Sequence, residues 1–218
     1  MVSHPIFHQT LVLFLLCVTT LSLVAADPTD GFTQLSLTSS NFQVQKPYDV
    51  SQGDRYTFIN GVHRLWVYNS DKPHTTTSQT APRTEIRITG YDYTSGVWQF
   101  EGHFYVPSGT TGTCIQQVFG GATHATTSQT RVYGGSLTHY QSTTLQQNIY
   151  NKWHRFNVIH DVGANNVKIY IDGIRKFNGN GRGAGVHYMK FGVTHRKVLP
   201  PIWNLDGGIS SFLEDIRD

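Results

Sequence analysis

The feature that most constrains the fold is a pair of tight-turn signals set between short runs of strand-like residues. Asn60-Gly61 separates Tyr56–Ile59 from Val62–Tyr68, and Asp172-Gly173 follows a second strand-like run. Asn-Gly and Asp-Gly between such runs are the strongest short-range signals for a β-hairpin. Each signal requires two extended segments to fold back on one another. The chain is therefore predicted to build antiparallel sheets.

Further runs with strand character recur along the rest of the chain. They are Arg83–Thr89, Gly96–Val106, Thr113–Phe119, Thr130–Tyr133, Leu137–Gln141, Trp153–Asp161 and Val186–Val193. A helical period is visible only at Ile209–Arg217, where a short terminal helix is predicted. Short strands separated by turn residues are typical of a sandwich or jelly roll. We predict an all-β fold, a two-sheet antiparallel jelly roll.

Composition excludes several other classes. Charged residues make up 14% of the chain, too few for a coiled coil or helical bundle. Aromatic residues make up 12%, which predicts a packed core rather than disorder. The formal net charge of +3 is too small for a nucleic-acid-binding surface, so no nucleic-acid partner is expected.

The first 26 residues have the pattern of a secretory signal peptide. An apolar run from Leu11 to Ala25 ends in Val24-Ala25-Ala26, directly before Asp27-Pro28. Small residues at positions −3 and −1 favour cleavage after Ala26. The run is shorter than the roughly 20 residues that span a bilayer, so no membrane span is expected in the mature chain. Residues 27–218 are predicted to form a single domain.

Cleavage would remove Cys17 and leave Cys114 as the one thiol of the mature chain. An internal disulfide is then impossible, and Cys114 is interpreted as a small buried apolar residue of a strand. The histidines do not show the spacing of metal ligands. We therefore expect no metal and no cofactor.

Residues 83–87 concentrate charge on one face of a predicted strand. Because side chains alternate along a strand, Arg83, Glu85 and Arg87 share a face. Two guanidiniums held by a central carboxylate would form a rigid row that suits carboxylate recognition. An ordinary solvated sheet face is the alternative interpretation of the same pattern.

Two later strands carry polar residues with the same alternation. Gln117 and Phe119 share a face of one, and Tyr188, Lys190 and Thr194 share a face of the other.

Together the three strands resemble the alginate-lyase-like polysaccharide lyases. That family has a β-jelly roll, related to the concanavalin-like sandwiches, with three signature strands of the forms R-S/T-E-L/V-R, Q-I/V-H and Y-x-K-A-G-x-Y-x-Q. Here the three strands are Arg83–Arg87, Gln117–Phe119 and Tyr188–Arg196. The resemblance is closer still to plant citrate-binding proteins, which are secretory-pathway relatives of those lyases. Three stretches carry this closer match: 27–32, 90–102 and 158–163.

The resemblance implies how the site residues divide between two tasks. A lyase must neutralise a uronate carboxylate, remove a proton from the neighbouring carbon and protonate the leaving oxygen. Arg83, Gln117 and Lys190 match the positions that handle the carboxylate. Phe119 stands where the family has His, and Thr194 where it has a second Tyr. Neither Phe nor Thr is a competent acid or base near neutral pH.

These substitutions predict a binder of citrate or a similar small polycarboxylate and argue against an enzyme. The resemblance implies a role in vacuolar transport or storage of that ligand. The predicted ligand-binding residues are Arg83, Glu85, Arg87, Gln117, Lys190, Tyr188, Arg64 and Arg131. The resemblance implies passage through the secretory pathway to the vacuole, with the cell wall or extracellular space as the alternative.

Two other functions stay open. A working lyase could cleave a uronate polymer by β-elimination, with Tyr188 or His195 transferring the protons. A non-catalytic module could instead bind cell-wall glycans by stacking sugar rings on Trp66, Trp98 or Tyr133.

Residues 194–218 depart from the family pattern. Pro200-Pro201 cannot pair within a strand, so we expect the closing strand of the fold to be missing or replaced. A missing strand would leave an exposed sheet edge.

Overall fold

The computed structural model describes residues 26–195 and 211–215. The predicted signal peptide therefore lies, except for Ala26, outside the described residues. Within these described residues, fifteen strands account for the regular structure apart from two short 3-10 turns, Ser39–Asn41 and Gln52–Asp54. In chain order the strands are β1 (Phe32–Leu35), β2 (Phe42–Gln45), β3 (Tyr56–Ile59), β4 (Val62–Leu65), β5 (Arg83–Ile88), β6 (Val97–Tyr105), β7 (Thr113–Phe119), β8 (Thr126–Tyr133), β9 (Ser136–His139), β10 (Thr143–Gln146), β11 (Trp153–Asp161), β12 (Asn166–Ile171), β13 (Ile174–Asn180), β14 (Tyr188–His195) and β15 (Ser211–Asp215).

Most of the strands form two antiparallel sheets. The six-stranded sheet has the order β1-β15-β6-β11-β12-β13, and the seven-stranded sheet has the order β10-β9-β8-β7-β14-β5-β2. The strands β3 and β4 form a separate hairpin across Asn60-Gly61, as the turn signal predicts. Both residues of that turn have positive φ, 51° and 79°, which Asn and Gly tolerate best. The all-β jelly-roll prediction is confirmed.

The core forms between the two sheets because each strand turns alternate residues inward. Ile86 and Ile88 of β5 and Met189 and Val193 of β14 are buried from the seven-stranded sheet. The six-stranded sheet contributes buried residues from three adjacent strands, namely Phe100, Phe104, Phe156, Val158, Val167, Ile169 and Ile171. The odd residues of β5 and the even residues of β14 must then lie on the opposite face of the seven-stranded sheet, away from this core.

The prediction of a short terminal helix is wrong. Ser211–Asp215 forms β15, a strand where the sequence predicted a short helix. It pairs with β1 on one side and with β6 on the other, so it occupies an interior place in the six-stranded sheet. A strand is therefore present where we expected the closing strand to be missing or replaced. The Pro200-Pro201 pair lies outside the described residues.

Within residues 26–195 and 211–215, no helix is long and apolar enough to cross a membrane.

Candidate functional site

A cavity of about 690 Å³ lies on the face of the seven-stranded sheet that points away from the core. Side chains from β2, β5, β7, β8 and β14 form its floor. The segment between β4 and β5 forms one wall through His74, Thr75, Ser78, Gln79, Thr80 and Ala81. The cavity thus brings together the three strands that carry the charged and polar alternation in the sequence.

One row of floor residues runs across four neighbouring strands. Arg83 pairs with Thr194, Thr194 with Cys114, and Cys114 with Arg131. All four line the cavity. Since neighbouring strands lie about 4.8 Å apart, the two arginine Cα atoms are separated by roughly 14 Å. The row therefore places one guanidinium at each end, with two small side chains between them.

A second row crosses the same strands further along. Arg87 pairs with Lys190, Lys190 with Gln117, and Gln117 with Gln129. The register shifts between Cys114 and Gln116 in β7. Because of this bulge, Cys114 and Gln117 both line the cavity, although their odd separation would place them on opposite faces of a regular strand.

A continuous chain of hydrogen bonds connects the floor residues. Arg131 donates through Nε to Oε1 of Gln129 at 2.9 Å, and Nε2 of Gln129 donates to Oε1 of Gln117 at 3.1 Å. Gln117 in turn donates through Nε2 to a carboxylate oxygen of Glu85. Each of the two glutamine amides accepts a hydrogen bond from the preceding residue and donates one to the next. This series of hydrogen bonds ends at the Glu85 carboxylate.

Glu85 is the common acceptor of the floor. Its Oε2 lies 3.2 Å from Nη1 of Arg83 and 3.5 Å from Nζ of Lys190. Lys190 also donates to Oε1 of Gln45 at 2.8 Å. Glu85 is 2% exposed and Lys190 is 3% exposed. Burial lowers the pKa of Lys190, and the Glu85 carboxylate opposes that effect.

The charged residues that line the described cavity are all cations: Arg83, Arg131 and Lys190. Glu85 lies beneath them, where its carboxylate already accepts from two of these cations and from Gln117. Two polar atoms of the first row have no hydrogen-bond partner, Nε of Arg83 and Oγ1 of Thr194. The site combines excess positive charge with free hydrogen-bonding capacity, which favours an anionic ligand.

Aromatic rings close the other end of the floor. The rings of Phe119 and Tyr188 stack with centroids 4.7 Å apart, and Nζ of Lys190 lies 5.1 Å from the Phe119 centroid. The guanidinium of Arg87 lies 3.9 Å above the Tyr188 ring. Burial raises the pKa of the Tyr188 phenol, and the charge of Arg87 opposes that shift.

The sequence predicts that the Glu85 carboxylate holds the guanidiniums of both Arg83 and Arg87. In the structure, Arg83 makes this contact. Arg87 donates to a carboxylate oxygen of Asp92 instead, and its guanidinium lies over Tyr188. The position of Lys190 explains the difference, because this residue pairs with Arg87 in the sheet and its Nζ reaches Glu85. Arg87 is absent from the described lining of the cavity and contacts it only through the ring of Tyr188.

Several other residues singled out by the sequence lie elsewhere. Arg64 belongs to the β3–β4 hairpin, is exposed, and is absent from the described lining of the cavity. Trp66 packs against the core, and so does Trp98, which stacks on Tyr93 with centroids 4.8 Å apart. Tyr133 accepts a hydrogen bond from Arg131. These aromatic residues therefore do not form one sugar-stacking groove.

His195 is the last described residue of β14, where its backbone pairs with Thr113. Its side chain lies outside the described residues.

Sequence reasoning missed Gln45, Gln129 and the wall segment 74–81. Gln129 was detectable, since it alternates with Arg131 in a polar run. Gln45 lies on β2, a strand that no turn signal marks. The wall segment carries no motif, and only its position in space brings it to the cavity.

Cys114 is buried, as predicted, and also lines the cavity. Burial raises the pKa of its thiol to about 12, with a further rise from the charge of Glu85. The thiol is therefore protonated at neutral pH and is a poor nucleophile.

Among the described residues, no three His, Cys, Asp or Glu side chains are placed to hold a metal ion.

Comparison with known proteins gives consistent matches. The sequence profile of a family described as alginate lyase matches residues 35–197. A protein of Hevea brasiliensis named citrate-binding protein is 54% identical over 169 residues, which cover 78% of this chain and 71% of that protein.

Solved structures of alginate lyases share the fold. An alginate lyase of polysaccharide lyase family 7 superposes with a TM-score of 0.60 at 13% identity, covering 88% of this chain and 96% of the other. An alginate lyase from a Corynebacterium species gives 0.58 at 14% identity, with 80% and 91% coverage.

Proposed function

This chain belongs to the alginate lyase family, and from that premise we propose that it binds a small polycarboxylate, with citrate as the leading candidate, without cleaving a polyuronate. The cavity is lined by three cations and by no described acid, which is the observation that carries the proposal. Citrate is trivalent at neutral pH, so its charge complements Arg83, Arg131 and Lys190. The name of the Hevea relative supports the same ligand.

The spacing of the cations favours a ligand with more than one anionic group. Arg83 and Arg131 stand at opposite ends of the first row, and Lys190 lies in the next row between them. A ligand with one carboxylate would leave at least one end of the row without a counter-charge. A compact ligand with several carboxylates can contact both ends across Thr194 and Cys114.

The missing proton-transfer groups support binding without cleavage. Phe119 presents a ring with no titratable atom where the resemblance implies a histidine, and Thr194 presents a hydroxyl where it implies a tyrosine. The lysine and arginine side chains of the cavity can hold a carboxylate. They do not by themselves supply the base and acid that an elimination needs.

Replacing Arg83 by alanine tests this proposal. The change removes one end of the first row, and we expect the affinity for citrate to fall by about tenfold to a hundredfold, the loss typical of a charged hydrogen-bonded contact. Titration calorimetry measures the affinity, and circular dichroism checks that the sheet structure is retained.

Arg175→Ala is the matched control, since Arg175 is exposed on β13 of the other sheet. Its affinity for citrate should equal that of the unmodified protein. Unchanged citrate affinity in Arg83→Ala would contradict the proposal.

A residual lyase activity is the second candidate, because Tyr188 keeps its phenol in the cavity. An elimination product of a polyuronate absorbs near 235 nm, so absorbance after incubation with polyuronates reports cleavage. We expect no increase. An increase that disappears in Tyr188→Phe would establish this second function in place of the first.

We propose the secretory pathway as the route and the vacuole as the destination, where the protein would serve carboxylate transport or storage. The proposal rests on the signal-peptide pattern of residues 1–26 and on the resemblance to plant citrate-binding proteins. The full chain with a fluorescent protein at its C-terminus should accumulate in the vacuole of plant cells. Accumulation in the cell wall would favour the alternative destination.

A further inference from the structure

Near the start of the described chain, Asp27 makes several contacts with the fold. The Asp27 carboxylate accepts two hydrogen bonds from Arg155, at 2.5 Å from Nη1 and 2.7 Å from Nη2. It also accepts from the backbone N–H of Thr29 at 2.9 Å and from the Thr29 hydroxyl at 2.6 Å. The Arg155 guanidinium holds the pKa of the Asp27 carboxyl well below its usual range. Asp27 is therefore a fixed anion at neutral pH.

The groups that hold residues 27 and 28 are themselves fixed by the six-stranded sheet. Arg155 on β11 also donates to Oε2 of Glu101 on β6, at 3.0 Å from Nε and 2.7 Å from Nη2. Gln99, which is fully buried on β6, donates through Nε2 to the carbonyl oxygen of Pro28 at 2.7 Å. The segment thus docks on β6 and β11, whereas Ala26 is exposed.

The backbone nitrogen of Asp27 has a partner of its own. It lies 2.8 Å from Oδ2 of Asp30, and the backbone N–H of Asp30 returns a bond to the carbonyl of Asp27 at 2.9 Å. In the continuous chain this nitrogen is a neutral amide. A free amine there would be an ammonium with an ordinary pKa of about 8, and would form an ion pair with Asp30 without any movement.

We propose that cleavage after Ala26, which the sequence predicts, makes the α-ammonium of Asp27 a structural cation held by Asp30. Hydrolysis by a peptidase consumes one water. It leaves a carboxylate on Ala26 and an ammonium on Asp27. Cleavage converts a hydrogen bond from a neutral amide to the Asp30 carboxylate into one whose donor and acceptor both carry charge, which adds a direct attraction between the two charges. Cleavage therefore strengthens the contact between the nitrogen of Asp27 and Asp30, in addition to removing the signal peptide.

Two features of the position support the proposal independently. Val24 and Ala26 provide the small residues that a signal peptidase requires. On the two sides of the bond to be cleaved, Ala26 is exposed and Asp27 is held by Asp30 and Arg155. A cleavage further along would remove Asp27 and leave Arg155 without that carboxylate. A cleavage before Ala26 would place the ammonium away from Asp30.

The mass of the secreted protein tests the first half of the proposal. The full chain is expressed in eukaryotic cells, and the protein is purified from the secretory fraction. Intact mass spectrometry should give the mass of residues 27–218 with a free amine. A protein that begins at another residue would overturn the proposal.

Selective acetylation tests the second half. At pH 6.5 the lysines are almost fully protonated, so an acylating reagent modifies the α-amine of the secreted protein preferentially. Acetylation removes the charge, and we expect Tm to fall by about 1–3 °C, as suits one exposed ion pair in a chain of this size. An unchanged Tm after complete acetylation would overturn the proposal.

The same acetylation is then carried out on Asp30→Asn, which removes the acceptor charge. Asp49→Asn is the matched control, because it removes an exposed carboxylate at a distant position in the sequence. In Asp30→Asn, acetylation should leave Tm unchanged because the acceptor charge is already gone. In Asp49→Asn, acetylation should lower Tm as in the unmodified protein. An equal fall of Tm in all three proteins would assign the stabilisation to another group and contradict the role of Asp30. None of these measurements depends on the ligand of the cavity.

Discussion

The amino group of Lys190 lies in a position where only 3% of the residue's surface is exposed. Burial of an unpaired ammonium would cost several kcal/mol, so the charge needs a partner with equally little access to water. Glu85 is that partner, and Arg83 approaches the same carboxylate oxygen. The two cations and one anion leave a net positive charge under the cavity. That imbalance becomes favourable only when an anion binds above it.

The Lys190–Glu85 pair gives a prediction that a double-mutant cycle can measure. Glu85→Gln should lower the free energy of unfolding by about 3 kcal/mol, because it leaves Lys190 buried without a counter-charge. Lys190→Met should cost less, since Arg83 still faces Glu85. The double variant should be more stable than Glu85→Gln alone. Urea denaturation of the four proteins gives the coupling energy, and additive effects would show that the two charges do not interact.

The sequence predicts part of this arrangement at the residue scale. Alternation alone places Arg83, Gln117 and Lys190 on the polar faces of their strands, and all three line the cavity. Alternation does not say which strands become neighbours. Arg64 has the right chemistry but belongs to the β3–β4 hairpin, whereas Gln45 and Gln129 reach the site through strand neighbours that the sequence does not reveal.

At the scale of elements, β14 carries the most constrained backbone of the site. Gly192 has φ of 139°, and a Cβ atom there would lie 2.5 Å from the carbonyl oxygen of Thr84 and 2.7 Å from Cα of Glu85. The close approach of β14 to β5 therefore requires glycine. It occurs directly opposite Glu85, the acceptor on which the floor contacts converge.

Gly192→Ala tests this requirement. We expect the variant to lose roughly 3 kcal/mol of stability, combining strain at positive φ with a collision against backbone atoms that cannot move aside. Thermal denaturation measures the loss. Gly53→Ala is the matched control, since a Cβ there meets nothing within 4 Å, and its stability should be unchanged or slightly raised. Equal stability of the two variants would contradict the proposed contact.

The strand β15 shows where prediction of elements fails. The apolar spacing of residues 209–217 is compatible with a helical period, yet Ser211–Asp215 is extended between β1 and β6. A segment this short has no strong intrinsic preference. Two unpaired neighbouring strands offer it hydrogen bonds on both sides, and that tertiary context decides its conformation.

At the scale of the whole molecule, buried histidines lie at several separate places. His63 lies in the aromatic cluster around Phe58, His139 packs on Phe177 with centroids 4.0 Å apart, and the ring of His160 is bonded to Tyr93. Burial is the main cause that lowers the pKa of each of these three histidines to about 4. The folded protein thus keeps these rings neutral in mildly acidic solution.

These histidines predict a loss of stability in acid. In the unfolded chain a histidine binds a proton near pH 6.5, but in the folded chain only near pH 4. Unfolding therefore takes up protons between these values. Above about pH 6.5 these histidines should not reduce the free energy of unfolding. Below that pH the free energy of unfolding should fall towards pH 4, by up to about 1.4 kcal/mol per pH unit for each histidine. Urea denaturation at several pH values measures the slope.

His139→Phe identifies one contribution to that slope. The Nε2 atom of His139 has no hydrogen-bond partner, so phenylalanine preserves the packing and removes the titrating group. Near pH 5, the slope of the free energy of unfolding against pH should fall by about 1.4 kcal/mol per pH unit, which corresponds to the uptake of one proton. His103→Asn, at an exposed position of β6, should keep the slope of the unmodified protein. An unchanged slope in His139→Phe would show that its ring does not stay neutral in the folded state.

Local patterns in the sequence are enough to predict the fold class, the hairpin at Asn60-Gly61 and the three strands that carry Arg83, Gln117 and Lys190. These features depend on local turn chemistry and on alternation along single strands. Tertiary structure alone decided which strands became neighbours, how the bulge in β7 turns Cys114 and Gln117 to one side, and how Glu85 became the buried acceptor. Those outcomes depend on contacts between residues far apart in the chain, and no local pattern records them.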